Sequence, residues 1–153
     1  NTPQDILSTG VDAINTTRLN NYIFQNRSFA KRVYDKLNRI LRNIPNSYSY
    51  ATMSKWFIVP EVDKQNNVYP SIIPGWDHTP RSGRDGLVMT NTTPELFENH
   101  VKHVVSLVES KPDDNKIVFI KSWNEWAEGN YMEPDLRWGT KFLEVLQKQI
   151  KKV

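Results

Sequence analysis

Residues 117–135 read I-V-F-I-K-S-W-N-E-W-A-E-G-N-Y-M-E-P-D. Ile117, Val118, Phe119 and Ile120 have the length and β-branched character of a buried strand. A dense polar and aromatic block follows at once, with Trp123, Asn124, Glu125, Trp126, Glu128, Tyr131, Glu133 and Asp135. In α/β proteins ligands bind outside the carboxyl ends of parallel strands, on the loops that follow them. A strand running directly into carboxylates and tryptophans therefore predicts an α/β fold with its site on this loop.

The segments on either side complete the pattern. Val68–Ile73 reads as a second buried strand, weakened at its start by Pro70. It runs into a long loop, Pro74–Gly86, that holds Trp76, Asp77, His78, Arg81 and Arg84. Thr93-Pro94-Glu95 is a helix start, with Thr93 as N-cap, Pro94 at the first helical position and Glu95 in the first turn. Phe97, Val101, Val104, Val105 and Val108 continue it on one face to about Ser110. His100 and His103 read as surface or flanking residues of this helix. Arg137–Ile150 reads as a final helix, with Trp138, Phe142, Leu146 and Ile150 on one stripe and Lys148, Lys151 and Lys152 suiting its C-terminus. Strand, helix, strand, helix in this order predicts a parallel sheet. Two or three strands cannot close a barrel, though they can be the end of one.

The N-terminal third carries one clear element. Phe29, Val33, Leu37, Ile40, Leu41 and Ile44 fall at helical spacing on one face of Ser28–Ile44, with Arg32, Lys36, Arg39 and Arg42 largely elsewhere. Asn26 or Ser28 can cap its start, and Pro45 stops it. The basic residues could draw an anionic partner, but a solvated helix face is the preferred reading. Residues 1–26 show no clean period beyond a short helix near Pro3–Leu7. Asn46–Tyr50 reads as a loop or short strand, Thr52–Val59 is open between helix and strand, and Val62–Asn67 is a polar turn.

Composition narrows the function classes. A chain of 153 residues fits one domain with a real core. The five Trp suit flat, amphipathic ligands such as sugars, though Trp is equally good core material. The formal charge of +3 is mild and its Lys and Arg are scattered, which argues against a nucleic-acid partner. Without Cys there are no disulfides and no thiol chemistry. No signal peptide or long apolar span is present, so no membrane span is predicted and a cytoplasmic location is expected. His78 has no second His or Cys at ligand spacing, so it reads as a polar loop residue and no metal or cofactor is expected. An Asp-x-Asp motif, which metal-dependent glycosyltransferases use, is absent.

Three separate motifs carry a family resemblance over about residues 48–147. The run Lys121–Asp135 with Trp138-Gly139 and Phe142-Leu143-Glu144, the block Val68-Tyr69-Pro70 to Pro74–Arg81, and Asn91–Phe97 resemble the WbsX-like glycosyltransferase family of bacterial polysaccharide clusters. That family is similar to the endo-α-mannosidases of glycoside hydrolase family 99, which are (β/α)8 barrels. The resemblance implies that this chain is the C-terminal portion of a TIM-type barrel. It implies a carbohydrate-active enzyme of surface polysaccharide (lipopolysaccharide, O-antigen) biosynthesis, acting on an oligosaccharide or glycan. The Glu-Trp-His-Glu motif of the mannosidases corresponds to Glu125-Trp126-Ala127-Glu128, with Ala127 in place of His. By that resemblance Glu125 works through the sugar's 2-hydroxyl and Glu128 protonates the leaving oxygen.

Elementary chemistry supports the same pair. Making or cleaving a glycosidic bond needs one group to donate a proton to the bridging oxygen and another to assist the anomeric centre. Residues three apart on a straight strand point to opposite faces, so Glu125 and Glu128 converge only if the chain turns, which Gly129 and Asn130 favour. The plainer reading is that both are solvated acids or partners of Arg81 and Lys121. Arg81 could clamp a sugar or tie its loop to a carboxylate such as Asp77. Trp76, Trp123 and Trp126 are candidate stacking surfaces, at least one of them exposed in a cleft, and Asn124 could bind a sugar hydroxyl or orient Glu125. Glu133 and Asp135 read as caps of the final helix or partners of Arg137. A non-catalytic carbohydrate-binding or structural module on the same scaffold is the alternative.

Two structural expectations follow. The chain should be an incomplete barrel that pairs with a missing N-terminal part or another chain. The loops Pro74–Gly86 and Asn124–Glu133 should lie side by side at one end of the sheet, with Trp76, Asp77 and Arg81 facing Glu125 and Glu128.

Overall fold

A computed structural model describes residues 3–151. The chain runs through a short helix α1 (Pro3–Leu7), strand β1 (Ile14–Thr16), short helix α2 (Asn21–Gln25), long helix α3 (Phe29–Arg42) and strand β2 (Asn46–Ser49). Two short helices follow, α4 (Tyr50–Met53) and α5 (Pro60–Asp63), then β3 (Val68–Ile72), α6 (Thr79–Ser82) and β4 (Leu87–Thr90). Helix α7 (Pro94–Val108), β5 (Phe119–Ile120), the small strands β6 (Asn124–Glu125) and β7 (Asn130–Tyr131), and α8 (Lys141–Ile150) complete it.

The fold is mixed α/β, with parallel strands alternating with helices. The central sheet has three parallel strands in the order β1-β3-β5. Ile14 pairs with Val68 and Thr16 with Pro70 on one side of β3, and Ile72 pairs with Ile120 on the other. A second parallel pair joins β2 to β4, from Asn46 opposite Leu87 to Ser49 opposite Thr90. Among the described residues no closed barrel forms.

Several elements sit where the sequence placed them. Thr93 caps α7, its hydroxyl accepting from the Leu96 amide. Ser28 caps α3, accepting from Lys31. Helix α3 stops at Asn43, which takes the left-handed conformation (φ 56°) two residues before Pro45. Strands β1 and β4 were not read from sequence, and β2 falls where a loop or short strand was expected. Strand β1 hides in a polar stretch because its exposed residue is Asn15. Strands β2 and β4 are short and half-buried, which weakens alternation.

The core forms where α7 lies on β3. Val68, Ile72, Ile73, Phe97, Val101 and Val104 are buried, with Tyr50, Met53 and Phe57 from the α4 region. Phe142 of α8 meets Phe97 at 5.0 Å between ring centres. Strand β1 is tied to α5 by the Thr16 hydroxyl, which donates to buried Asp63; Arg18, just after the strand, pairs with Asp63 at 2.5 Å, and Asp63 also accepts from the Val59 amide. The further bonds matter, because a buried carboxylate is tolerated only when its lone pairs are satisfied.

Three readings need correction. The run Ile117–Ile120 is not a buried strand: only Phe119 and Ile120 pair, and Phe119 is 45% exposed. Strand β5 is the outer strand of the sheet, bonded to β3 alone among the described residues. The last helix begins at Lys141 rather than Arg137, because a turn closed by Asp135 and Gly139 precedes it. Lys152 lies outside the described residues. His100 is not a surface residue: it is buried on α7, and its Nε2 accepts from the Ile73 amide at 3.2 Å, where β3 ends.

Burial pushes the His100 imidazole down to about 3, with the charge of His103 adding to the effect and a backbone hydrogen bond at Ser71 opposing it. The folded state therefore holds His100 neutral, whereas the unfolded chain protonates it below about 6.5. A depressed pKa contributes stability that is complete above the unfolded value and is lost as pH falls toward the folded one. Lowering the pH from 6.5 to 5 should cost about 2 kcal/mol through this group. Urea denaturation at the two pH values checks it, with a His100→Gln variant expected to lack that part of the loss.

The two loops at the carboxyl end of the sheet meet backbone to backbone. The Asp77 amide donates to the Glu128 carbonyl at 2.6 Å. A Cβ on Gly75 would stand 2.9 Å from the Gly129 carbonyl oxygen, and a Cβ on Gly129 (φ +54°) would stand 2.9 Å from Asp77 Cβ. Gly129 is in the left-handed region (φ 54°, ψ 30°), where a Cβ alone costs about 1–2 kcal/mol. Gly129→Ala should cost more than that, because Asp77 must also move. Thermal unfolding of the variant checks it; a loss within the backbone range would mean the contact contributes nothing.

Candidate functional site

Strand β3 delivers Pro74–His78 to the carboxyl end of the sheet. There the chain folds back on β4: the Met89 amide donates to the Trp76 carbonyl at 2.7 Å and the His78 amide to the Leu87 carbonyl at 3.0 Å. Asp77 Oδ1 accepts from both the amide and the hydroxyl of Thr79, at 2.9 and 2.6 Å, and this bond starts α6. Arg81 projects from that helix.

Strand β5 delivers the second loop, which is a small hairpin. β6 and β7 pair antiparallel, Asn124 with Tyr131 and Glu125 with Asn130. A 3-10 turn over Trp126–Glu128 and the left-handed Gly129 join them. The turn brings both carboxylates to one guanidinium. Arg81 Nη2 lies 3.3 Å from Glu125 Oε1, and Nη1 lies 3.4 Å from Glu128 Oε1. Glu128 is the more sheltered of the two, 15% exposed against 36%. His78 Nε2 stands 3.7 Å from Glu128 Oε1, and the Ser82 hydroxyl is 2.9 Å from His78 Nδ1.

A cavity of about 650 Å³ opens beside this cluster, lined among others by Trp76, Asp77, Trp126, Tyr131, Glu133 and Trp138. Glu125, Glu128, Arg81, Trp123 and Asn124 lie outside its lining. Six of the eight expected residues thus fall into two adjoining groups, an ionic cluster of Arg81, Glu125 and Glu128 and an aromatic cavity with Trp76, Asp77 and Trp126, while Trp123 and Asn124 belong to neither. Trp126 is 47% exposed, stacks on Tyr131 at 3.7 Å between ring centres, and donates through Nε1 to Glu133 at 2.6 Å. Trp76 stacks on His78 at 5.9 Å, with the Lys121 ammonium 5.5 Å from its ring. Trp123 is half exposed but away from the cavity.

Glu133 does not cap the last helix; it holds the Trp126 indole. Asp135 accepts from the backbone amides of Arg137 and Trp138 and from the Tyr131 hydroxyl, and so closes the turn before α8. Arg81 pairs with the two glutamates and not with Asp77, and Lys121 pairs with neither glutamate but sits over Trp76. Among the described residues no group of three His, Cys, Asp or Glu side chains could hold a metal ion, and no helix is long and apolar enough to cross a membrane.

Tyr131, part of the polar and aromatic block read from the sequence, lines the cavity. Sequence reasoning did not place Trp138 or Asn91 there. Trp138 was read into a helical stripe, but it lies in the preceding turn, where Arg137 stands 4.9 Å from its ring centre. Asn91 lines the cavity with φ +58°; its signal was available, since Asn is among the few non-glycine residues that readily take this conformation.

Comparison with known proteins bears on the family of the chain. A family profile described as Glycosyltransferase WbsX matches residues 1–146. Eighty-four residues of the chain, 54% of it, are 33% identical to "Uncharacterized protein WxcX" of Xanthomonas campestris pv. campestris, in strain B100 and in strain ATCC 33913. That match spans 12% of each relative's length. No solved structure matches the chain. With the family profile covering nearly its whole length, the chain belongs to the WbsX glycosyltransferase family.

Proposed function

We propose that this chain, read as one domain over residues 1–153, is the C-terminal portion of a (β/α)8 barrel. It carries the site of a cytoplasmic carbohydrate-active enzyme of bacterial surface-polysaccharide biosynthesis that makes or cleaves glycosidic bonds. The observation that carries this reading is the single guanidinium of Arg81 within 3.4 Å of both Glu125 and Glu128, beside a cavity walled by Trp126, Tyr131 and Trp138. Aromatic walls suit the apolar faces of sugar rings, and carboxylates suit their hydroxyls.

In this reading Glu125 takes up the proton of the sugar's 2-hydroxyl as its oxygen assists the anomeric carbon. Glu128 donates a proton to the bridging oxygen as the glycosidic bond breaks, and withdraws one in the reverse direction. Arg81 positions both carboxylates. His78, with Ser82 behind it, holds Glu128 from the other side. General acid–base assistance of this kind is worth roughly 100- to 10,000-fold in rate.

One observation favours a second reading. The cavity lining excludes both glutamates, which suits a glycan-binding module without turnover. The two readings separate on one experiment with the full protein and its native oligosaccharide. Glu125→Gln and Glu128→Gln should each lower turnover by roughly 100-fold or more while glycan binding by calorimetry is kept. Trp126→Ala should instead weaken binding. If both Gln variants turn over at the wild-type rate, or the wild-type protein binds the glycan without turnover, the catalytic assignment falls.

A further inference from the structure

Asn130 opens β7, next to Gly129 and opposite Glu125. It is fully buried, 0% exposed. Neither polar atom of its carboxamide has a hydrogen-bond partner among the described residues. Two other buried side chains leave one atom unpaired, Arg27 at Nε and His100 at Nδ1. Each of those is held through another atom: Arg27 Nη1 donates to the Tyr48 hydroxyl, and His100 Nε2 accepts from the Ile73 amide. Of the three, Asn130 alone has a side chain bonded to nothing.

A buried amide in that state opposes folding. Its two groups have given up water without gaining a partner, and an apolar side chain of similar shape would fill the same place more stably. The described residues themselves close both atoms off, so the burial does not depend on any further segment of protein. An unsatisfied buried group beside a site points to a role that folding does not explain.

The pairing of the hairpin names the group it serves. Side chains directly opposite one another on an antiparallel pair stand on the same face, with their Cβ atoms roughly 4.5–5.5 Å apart. Asn130 therefore shares its face with Glu125, and Asn124 shares the other face with Tyr131. The three carboxylates around this hairpin are not equally held. Asp77 accepts from the amide and the hydroxyl of Thr79. Glu128 has Arg81 on one side and His78 on the other. Glu125 has Arg81 alone among the described residues, at 3.3 Å, and that arginine side chain is 52% exposed. A partly exposed ion pair holds a carboxylate loosely. The carboxylate that lacks a second donor and the carboxamide that lacks an acceptor thus face the same way on adjacent strands. Hydrogen bonds of a site are often unmade in its resting state and close when substrate is bound.

We propose that Asn130 is the positioning residue of Glu125: with a glycan bound, its Nδ2–H group donates to the Glu125 carboxylate and fixes it against the sugar's 2-hydroxyl. The inference rests on the catalytic reading of Glu125 given above. Asn130 itself neither touches the glycan nor gives up a proton, and Glu125 remains the group that takes up the proton of the hydroxyl.

The test uses the full-length protein, with the oligosaccharide released from the bacterium's own surface polysaccharide as the probe. Asn130→Leu and the smaller Asn130→Val each remove both unsatisfied groups, so at least one of them should keep or raise the melting temperature. In that variant turnover at saturating oligosaccharide should fall about 10- to 100-fold, while binding by calorimetry is kept. In a Glu125→Gln background the same substitution should leave turnover where Glu125→Gln alone puts it, because Asn130 acts through that carboxylate. A lower melting temperature for both variants would show that the carboxamide holds the fold together, and it overturns the proposal. So does wild-type turnover in the stable variant, or a further loss by the same factor in the Glu125→Gln background. If Glu125→Gln itself turns over at the wild-type rate, the catalytic reading falls and takes this inference with it. A slow Glu125→Gln enzyme beside a fully active Asn130 variant overturns this inference alone.

Discussion

The site depends on how closely two loops can approach. The Asp77 amide and the Glu128 carbonyl are hydrogen-bonded at 2.6 Å, a contact that leaves no room for a side chain at Gly75 or Gly129. Everything chemical nearby is built outward from it. On one strand of the contact, Asp77 also accepts from Thr79, which sets the axis of α6 and so the reach of Arg81. On the other, Glu128 follows Trp126 in a single 3-10 turn, which aims the carboxylate at that arginine. The Arg81 ion pairs are partly exposed and individually weak. The backbone contact, more than the charges, fixes where the carboxylates stand.

The elements that the sequence disclosed are those with strong local physics. Thr93-Pro94-Glu95 can hardly be anything but a helix start, and α7 begins there. Val68, Ile72 and Ile73 are β-branched and buried, as suits β3, the central strand. The turn needed to bring Glu125 and Glu128 together was legible in Gly129. What escaped is what tertiary context decides. Strand β1 is specified by its partner β3 and by the bond to Asp63, not by the pattern of its own three residues. Ile117–Ile120 looks like core, yet its place at the outer edge of the sheet leaves Phe119 half open. His100 on an apolar helix face could have suggested burial, but only the free amide of Ile73 at the end of β3 explains why a histidine stands there.

Helix α3 marks the limit of pattern reading. Periodicity located it to within a residue or two and found the apolar stripe, but periodicity carries no sign: it cannot say which face turns inward. Here a buried carboxylate decided. Asp35, with the Tyr48 hydroxyl, Lys31 and Arg27 around it, anchors the polar side, and the apolar side is left on the outside.

Trp126 has a consequence for how a ligand would be received. One face of its indole is covered by Tyr131 and its N–H is held by Glu133, so the ring has a single free face and little freedom to turn. A sugar settling on that face would meet a surface already ordered, and the entropy of fixing the side chain would not be charged to the encounter. Such a plane discriminates by fit: it rewards a ring that presents a flat apolar face at that angle, and it cannot swing to accommodate one that does not.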